Sequence, residues 1–143
     1  MIEATVRRAE AADVPAMAQF VCDWEAATEW MPSLYGPDEI VGFIREAMPE
    51  REIWVAGEPI EGYLSFDPSL SRVGGLYCKT TGAGVGKTLM DRAKAGRDFV
   101  WLTTHERNER AQKFYKREGF EEVSRHEAEP PNTLREVRME WRV

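Results

Sequence analysis

The stretch richest in chemical potential is Thr80-Thr81-Gly82-Ala83-Gly84-Val85-Gly86-Lys87-Thr88. It follows an apolar segment and opens one with helical periodicity. Glycines at a helix start let unsatisfied backbone N–H groups converge on one point, where the helix dipole adds positive potential. The natural guest of such a turn is an anion, and a pyrophosphate is the expected one. Two nucleotide patterns fail against it. The triphosphate loop G-x-x-x-x-G-K-[ST] would end in Gly86-Lys87-Thr88, but its first glycine falls on Thr81, and no apolar strand ending in Asp follows to hold magnesium. The dinucleotide pattern G-x-G-x-x-G would use Gly82 and Gly84, but its third glycine falls on Lys87. A second run, Asn108-Glu109-Arg110-Ala111-Gln112-Lys113-Phe114-Tyr115-Lys116-Arg117-Glu118-Gly119-Phe120, places a capping residue, an aromatic pair and a terminating glycine at helical spacing.

These runs need elements to hold them. Ile2 to Arg8 alternates and reads as a strand. Asp13 and Pro15 signal a helix start, after which Val14, Met17, Phe20, Val21 and Trp24 share one face. A loop rich in aromatics and breakers runs from Glu29 to Pro37. A second helix from near Asp38 to Pro49 carries Ile40, Val41, Phe43, Ile44 and Met48. Ile53 to Ala56 and Ile60 to Phe66 read as a hairpin about Gly57-Glu58-Pro59, and Arg72 to Cys78 as a further strand. A helix from about Gly84 to Ala95 follows the glycine run, with Val85, Leu89 and Ala93 as its stripe. Phe99 to Thr103 reads as a fully buried strand, Asn108 to Gly119 as a helix, and Phe120 to Arg125 and Leu134 to Val143 as closing strands. Strands grouped around helical crossovers predict an α/β chain with a mixed sheet and helices on both faces.

At 143 residues the chain is expected to be a single domain over 1–143. Nineteen basic and 25 acidic residues give a net charge of −6, which argues against a nucleic-acid partner and leaves room for a cationic one. Two cysteines, Cys22 and Cys78, form no disulfide framework. With two histidines they are too few for a structural zinc, so no metal is expected. No apolar run is long enough to cross a membrane and the N-terminus has no signal-peptide pattern, so a soluble, cytoplasmic protein without a membrane partner is expected.

Both runs resemble motifs of the GCN5-related N-acetyltransferase (GNAT) family. Thr81-Gly82-Ala83-Gly84-Val85-Gly86 is similar to its [Q/R]-x-x-G-x-[G/A], with Thr81 in place of the leading Gln or Arg. The run from Asn108 resembles N-x-x-A-x-x-F-Y-x-x-x-G-F at every fixed position, and Leu76-Tyr77-Cys78 is similar to the family's L-Y-V. The element order matches over essentially the whole chain. The resemblance implies a mostly antiparallel α+β sheet of six to seven strands, about four helices on both faces, and a central parallel pair that splays apart.

Acetyl-CoA would lie in that splay as cosubstrate. Leu76, Tyr77 and Cys78 would pair with its pantetheine arm, and the backbone from Gly82 through Ala83, Gly84, Val85 and Gly86 to Lys87, with Thr88 adjoining, would cradle its pyrophosphate. Asn108 would bond the arm or cap its helix. Tyr115 matches the family's general acid, and a phenol of pKa about 10 keeps its proton at neutral pH. The implied activity is acetyl transfer to a primary amine of a small molecule or peptide, by direct attack in a ternary complex; a catalytically degenerate CoA-binding sensor of the same fold is the alternative.

The family's strand glutamate is missing, so the base is open among Glu29, Glu52, Asp67, His105 and water. Glu29, Trp30 and Tyr35 are the candidate acceptor contacts, since aromatic faces with carboxylates suit a cationic amine. Homodimers are frequent in the family. The Leu134 to Val143 strand offers either a dimer edge or the completion of the sheet.

Overall fold

The computed structural model describes residues 5–79 and 84–143. The start of the first strand and Thr80 to Ala83 of the glycine run, including Gly82 and Ala83, lie outside the described residues. Seven strands form one sheet: β1 Val6–Arg8, β2 Glu52–Ala56, β3 Gly62–Asp67, β4 Arg72–Cys78, β5 Phe99–His105, β6 Glu121–His126 and β7 Glu136–Arg142. Four α-helices accompany them: α1 Val14–Ala27, α2 Pro37–Ala47, α3 Val85–Lys94 and α4 Glu109–Arg117. The spatial order is β1-β2-β3-β4-β5-β7-β6. Every neighbouring pair is antiparallel except β4 and β5. The mixed sheet, the helices on both faces and the central parallel pair are as expected.

Strand alternation divides the core in two. Ile53, Val55 and Tyr63 face α1 and α2, where Val14, Met17, Ile40 and Ile44 are buried. Leu64, Phe66, Val73, Val100, Leu102, Val137 and Met139 face the other way and bury Val85, Leu89, Met90 and Ala93 of α3 with Tyr115 of α4. The stripe of α3 therefore faces the sheet as its spacing predicts.

The feature that makes the site is a fork. β4 and β5 pair only at Arg72↔Trp101 and Val73↔Leu102. Beyond Val73, the β3–β4 register shifts between Ser65 and Phe66, leaving Gly74 as the extra residue. A bulge bends its strand and increases the local twist, so the rest of β4 leaves β5 while staying paired with β3 up to Gly62↔Cys78. One edge of β4 from Gly74 to Cys78 is thus without a strand partner among the described residues.

Several expectations need correction. Asp13 does not cap α1 with its side chain; it accepts the Glu10 N–H at 2.7 Å and receives Arg7 at 2.8 and 2.9 Å, closing a 3₁₀ turn at Ala11–Asp13. The hairpin loop runs from Gly57 to Glu61, so Ile60 is outside β3. β5 is not buried on both faces: Val100 and Leu102 are buried, while Phe99, Trp101 and Thr103 are half-buried, with arginine side chains lying over the Trp101 and Phe99 rings. β7 is not an edge. It lies between β5 and β6, and the fully exposed β6 takes the edge position.

Candidate active site

The fork brings together the ends of β4 and β5, the start of α3 and the middle of α4. Gly84, with φ of +82°, is the N-cap of α3, and among the described residues no side chain caps the helix. The first N–H groups of α3 are therefore left to an outside acceptor. Thr88 turns inward, its hydroxyl donating to the Gly84 carbonyl at 2.9 Å. Lys87 is spent on Asp91 and Glu118, at 3.4 and 3.5 Å, which raise its pKa, Glu118 most strongly. Any anion at this turn would thus be held chiefly by backbone N–H groups.

Close packing ties the turn to the strands. A Cβ on Gly62 would come within 2.9 Å of the Tyr77 carbonyl oxygen and 3.0 Å of Val85 Cγ1; one on Gly86 would meet the Phe114 ring at 3.2 Å and Cys78 Sγ at 3.7 Å. Cys78 is thereby lodged beneath α3. Burial pushes its thiol up to about 11, so it is no nucleophile at neutral pH.

Tyr115 is buried in the same layer, its ring edge-on to Phe114 at 5.4 Å and Phe120 at 5.9 Å. Burial raises its pKa first, and the neighbouring ionisable groups of Tyr77 and Cys78 raise it further. Both partners stand at the open end of β4, so the phenol is coupled to the fork and keeps its proton. Asn108 caps α4 as expected, its Oδ1 accepting the Ala111 N–H at 3.1 Å. Gln112 was not legible as a site residue. Buried, it donates to the carbonyls of His105, Glu106 and Asn108 and so locks the turn between β5 and α4.

On the α1/α2 side, an aromatic cluster closes the mouth of the fork. Trp24 meets Tyr77 edge-on at 6.0 Å and stacks on His105 at 6.3 Å, while Trp30 meets His105 at 5.6 Å. His105 Nδ1 is buried with no hydrogen-bond partner among the described residues. Burial lowers the pKa of this imidazole, with Glu136 opposing. Tyr77 also stacks on Tyr63, with centroids 5.5 Å apart, and burial pushes its phenol up to about 12. Glu25, on α1, has its carboxyl raised by burial and acts on Tyr77.

Beside this cluster lies a cavity of about 420 Å³ between α2 and strands β2 to β4. Phe43, Ile44, Ile53, Tyr63 and Tyr77 supply its apolar wall, and Arg51, Asp67 and Arg72 its charges. The expected acceptor contacts sit elsewhere. Glu29 is exposed after α1, Trp30 belongs to the mouth cluster, and Tyr35 is exposed against Phe43, with centroids 4.8 Å apart. Of the four candidate bases, Glu52 is on the α3 face and bound to Arg97 at 2.7 Å. Asp67 lines the cavity but is held below the usual carboxylate range by the Ser69 hydroxyl, then by the Ser69 N–H and Arg51. His105 alone of the four stands at the mouth. Nothing in the spacing of Arg51 and Arg72 marked them for the cavity; Arg51 arrives there just before β2, whose pairing with β3 brings it to Asp67, and Arg72 follows the β3–β4 turn.

Among the described residues there is no cluster of His, Cys, Asp and Glu fit for a metal, and no helix long and apolar enough to cross a membrane.

Comparison with known proteins agrees with this architecture. The family model of the acetyltransferase (GNAT) domain matches residues 33–122. No curated protein matches the chain by sequence. Among solved structures, apo YjaB from Escherichia coli superposes with a TM-score of 0.79 at 22% identity, covering 99% of this chain and 98% of its own. The ribosomal-protein-alanine N-acetyltransferase from Brucella melitensis gives 0.75 at 18%, covering 97% and 99%. The GNAT-superfamily phosphinothricin acetyltransferase from Sinorhizobium meliloti, in complex with acetyl-CoA, gives 0.76 at 18%, covering 99% and 89%.

Proposed function

We propose that this chain, which belongs to the acetyltransferase (GNAT) family, transfers the acetyl group of acetyl-CoA to a primary amine by direct attack in a ternary complex, acting as one domain over residues 1–143. The observation that carries the reading is the fork itself: an unpaired β4 edge, an uncapped helix start at its open end, and a protonated, buried phenol beside it. Acetyl-CoA supplies the activated acetyl thioester, and the residues present fit it. The free edge of Leu76, Tyr77 and Cys78 is suited to pair with an extended amide-bearing arm. The N–H groups of Val85, Gly86 and Lys87 are suited to its pyrophosphate. That a Sinorhizobium meliloti relative of this fold holds acetyl-CoA supports the assignment.

The residues of this chain divide the proton transfers. The mouth takes a proton from the amine, and His105, held neutral by burial, is its acceptor, directly or through water. As the nitrogen–carbon bond forms and the carbon–sulfur bond breaks, Tyr115 gives its hydroxyl proton to the leaving sulfur and is later reprotonated from solvent. Cys78, raised by burial, takes no covalent part.

Calorimetry tests the reading, with acetyl-CoA in one cell and ATP plus magnesium in a parallel one, followed by an amine screen for thiol release. Acetyl-CoA binding with thiol release on an amine is the expected result. Binding without release on any amine would leave a CoA-binding sensor, and absence of binding would overturn the cofactor assignment.

A further inference from the structure

We propose that the amine acceptor carries a carboxylate close to its amino group, as an amino acid with an apolar side chain does, and that Arg72 binds that carboxylate. This rests on the acetyl-transfer reading above and names its substrate class. The charge of the 420 Å³ cavity is the first observation. Two guanidinium groups, Arg51 and Arg72, face one carboxylate, Asp67. Asp67 is already engaged: it accepts the Ser69 N–H at 3.0 Å and the Ser69 hydroxyl at 2.6 Å, and meets Arg51 at 3.5 Å. The surplus is the positive charge of Arg72, in a chain whose net charge is −6. The acidic composition, which leaves room for a cationic partner, is reversed at this cavity beside the fork.

The second observation is the state of Arg72. Among the described residues it has no carboxylate partner, and its hydrogen bond is from Nη2 to Thr103 Oγ1 at 3.0 Å. Its Nε is buried and unpartnered. A buried cationic donor left unmatched is unfavourable, and such a group is usually matched by a partner. Neighbouring arginines are matched: Arg138, over the same Trp101 ring, is bound to Glu140 at 2.9 Å.

Position is the third. In the ladder Arg72 is opposite Trp101, yet it bonds Thr103, two residues further along β5. The side chain therefore runs forward, to the level where the strands part. Its guanidinium lies 4.7 Å from the Trp101 ring centroid, and that ring is pinned by a 2.7 Å bond from Nε1 to the Leu70 carbonyl. A planar guanidinium fixed in this way is suited to a carboxylate. An acceptor bound there has its amine within a few bonds of the fork, and Phe43, Ile44 and Tyr63 receive its side chain.

The test offers L-leucine, L-leucinamide and isoamylamine to the enzyme with acetyl-CoA, and separately follows binding of N-acetyl-L-leucine by calorimetry without turnover. We expect kcat/KM for the acid to exceed that for the amide and the amine by about 10- to 100-fold, the worth of a charge-assisted hydrogen bond. Arg72→Met should abolish that preference and the binding of N-acetyl-L-leucine while leaving acetyl-CoA affinity unchanged, and Arg72→Lys should restore part of both. Transfer without preference for the acid, or loss of acetyl-CoA binding in Arg72→Met, would overturn the inference and leave acetyl transfer standing. If none of the three is acetylated, acetyl transfer to this class fails, and calorimetry decides alone: Arg72-dependent binding of N-acetyl-L-leucine upholds the carboxylate site, and its absence removes it. Should Arg72→Met not fold, the Arg72→Lys variant and inhibition of the wild type by N-acetyl-L-leucine carry the same decision.

Discussion

His105 and Trp24 stack at 6.3 Å with their planes 14° apart, joining the last residue of β5 to the final turns of α1. The stack closes the mouth of the fork and desolvates the imidazole, which lowers its pKa against the opposing pull of Glu136. The folded chain therefore binds this proton more weakly than the unfolded chain, whose imidazole titrates near the ordinary value of about 6.5. Stability from this group is complete above that value and is lost as pH falls below it towards the folded pKa. Thermal melts between pH 7.5 and 5.5 should show a smaller loss in His105→Phe, which keeps the stack and removes the proton site. The acid limb of wild-type kcat/KM should fall below the ordinary imidazole range and disappear in His105→Gln. An unchanged limb in that variant would move the proton acceptor to water.

Tyr115→Phe keeps the ring between Phe114 and Phe120 and removes only the hydroxyl. Its melting temperature should stay near that of the wild type. Loss of a general acid should lower kcat by about 100-fold or more. Since burial raises the Tyr115 pKa, no alkaline limb from this phenol should appear at ordinary assay pH. Wild-type turnover in the variant would remove Tyr115 from the mechanism.

Two glycine-to-alanine changes should act with opposite signs. At Gly62 a Cβ would meet a backbone oxygen at 2.9 Å, and the strand pairing holds both sides in place. Gly62→Ala should destabilise the fold by about 1–3 kcal/mol through overpacking. Gly42 sits inside α2 with nothing within 4 Å of its Cβ position, so Gly42→Ala should stabilise by about 0.5–1 kcal/mol through helix propensity. Urea melts of the pair check both.

Cys78 should alkylate slowly in the native state. Its thiol is pushed up to about 11 by burial beneath α3, so almost no thiolate exists at neutral pH. Iodoacetamide followed by peptide mass mapping should label Cys78 only after denaturation. Rapid native labelling there would show that α3 opens.

Much of this protein was legible along the chain because it depends on neighbours in sequence. The stripe of Val85, Leu89 and Ala93, the Asn108 cap and the terminating Gly119 are local, and the motifs carrying the family resemblance lie on them. The helices on both faces followed from element order, and the central parallel pair from the family resemblance. What tertiary structure decided concerns residues distant in sequence. The order β5-β7-β6 turned the closing strand from a candidate edge into an interior strand, because strand neighbours are chosen by pairing rather than by succession. The bulge at Gly74 set where β4 leaves β5, and so where the fork opens.

The cavity was the least legible feature. Its walls come from α2 and β2 to β4, elements apart in sequence, and Glu29, Trp30 and Tyr35 are not among its lining residues. The overall charge of −6 said nothing of a cavity whose surplus is positive. Local potential depends on which charges fold together: Ser69 and Arg51 engage Asp67, and among the described residues Arg72 beside the fork has no carboxylate partner.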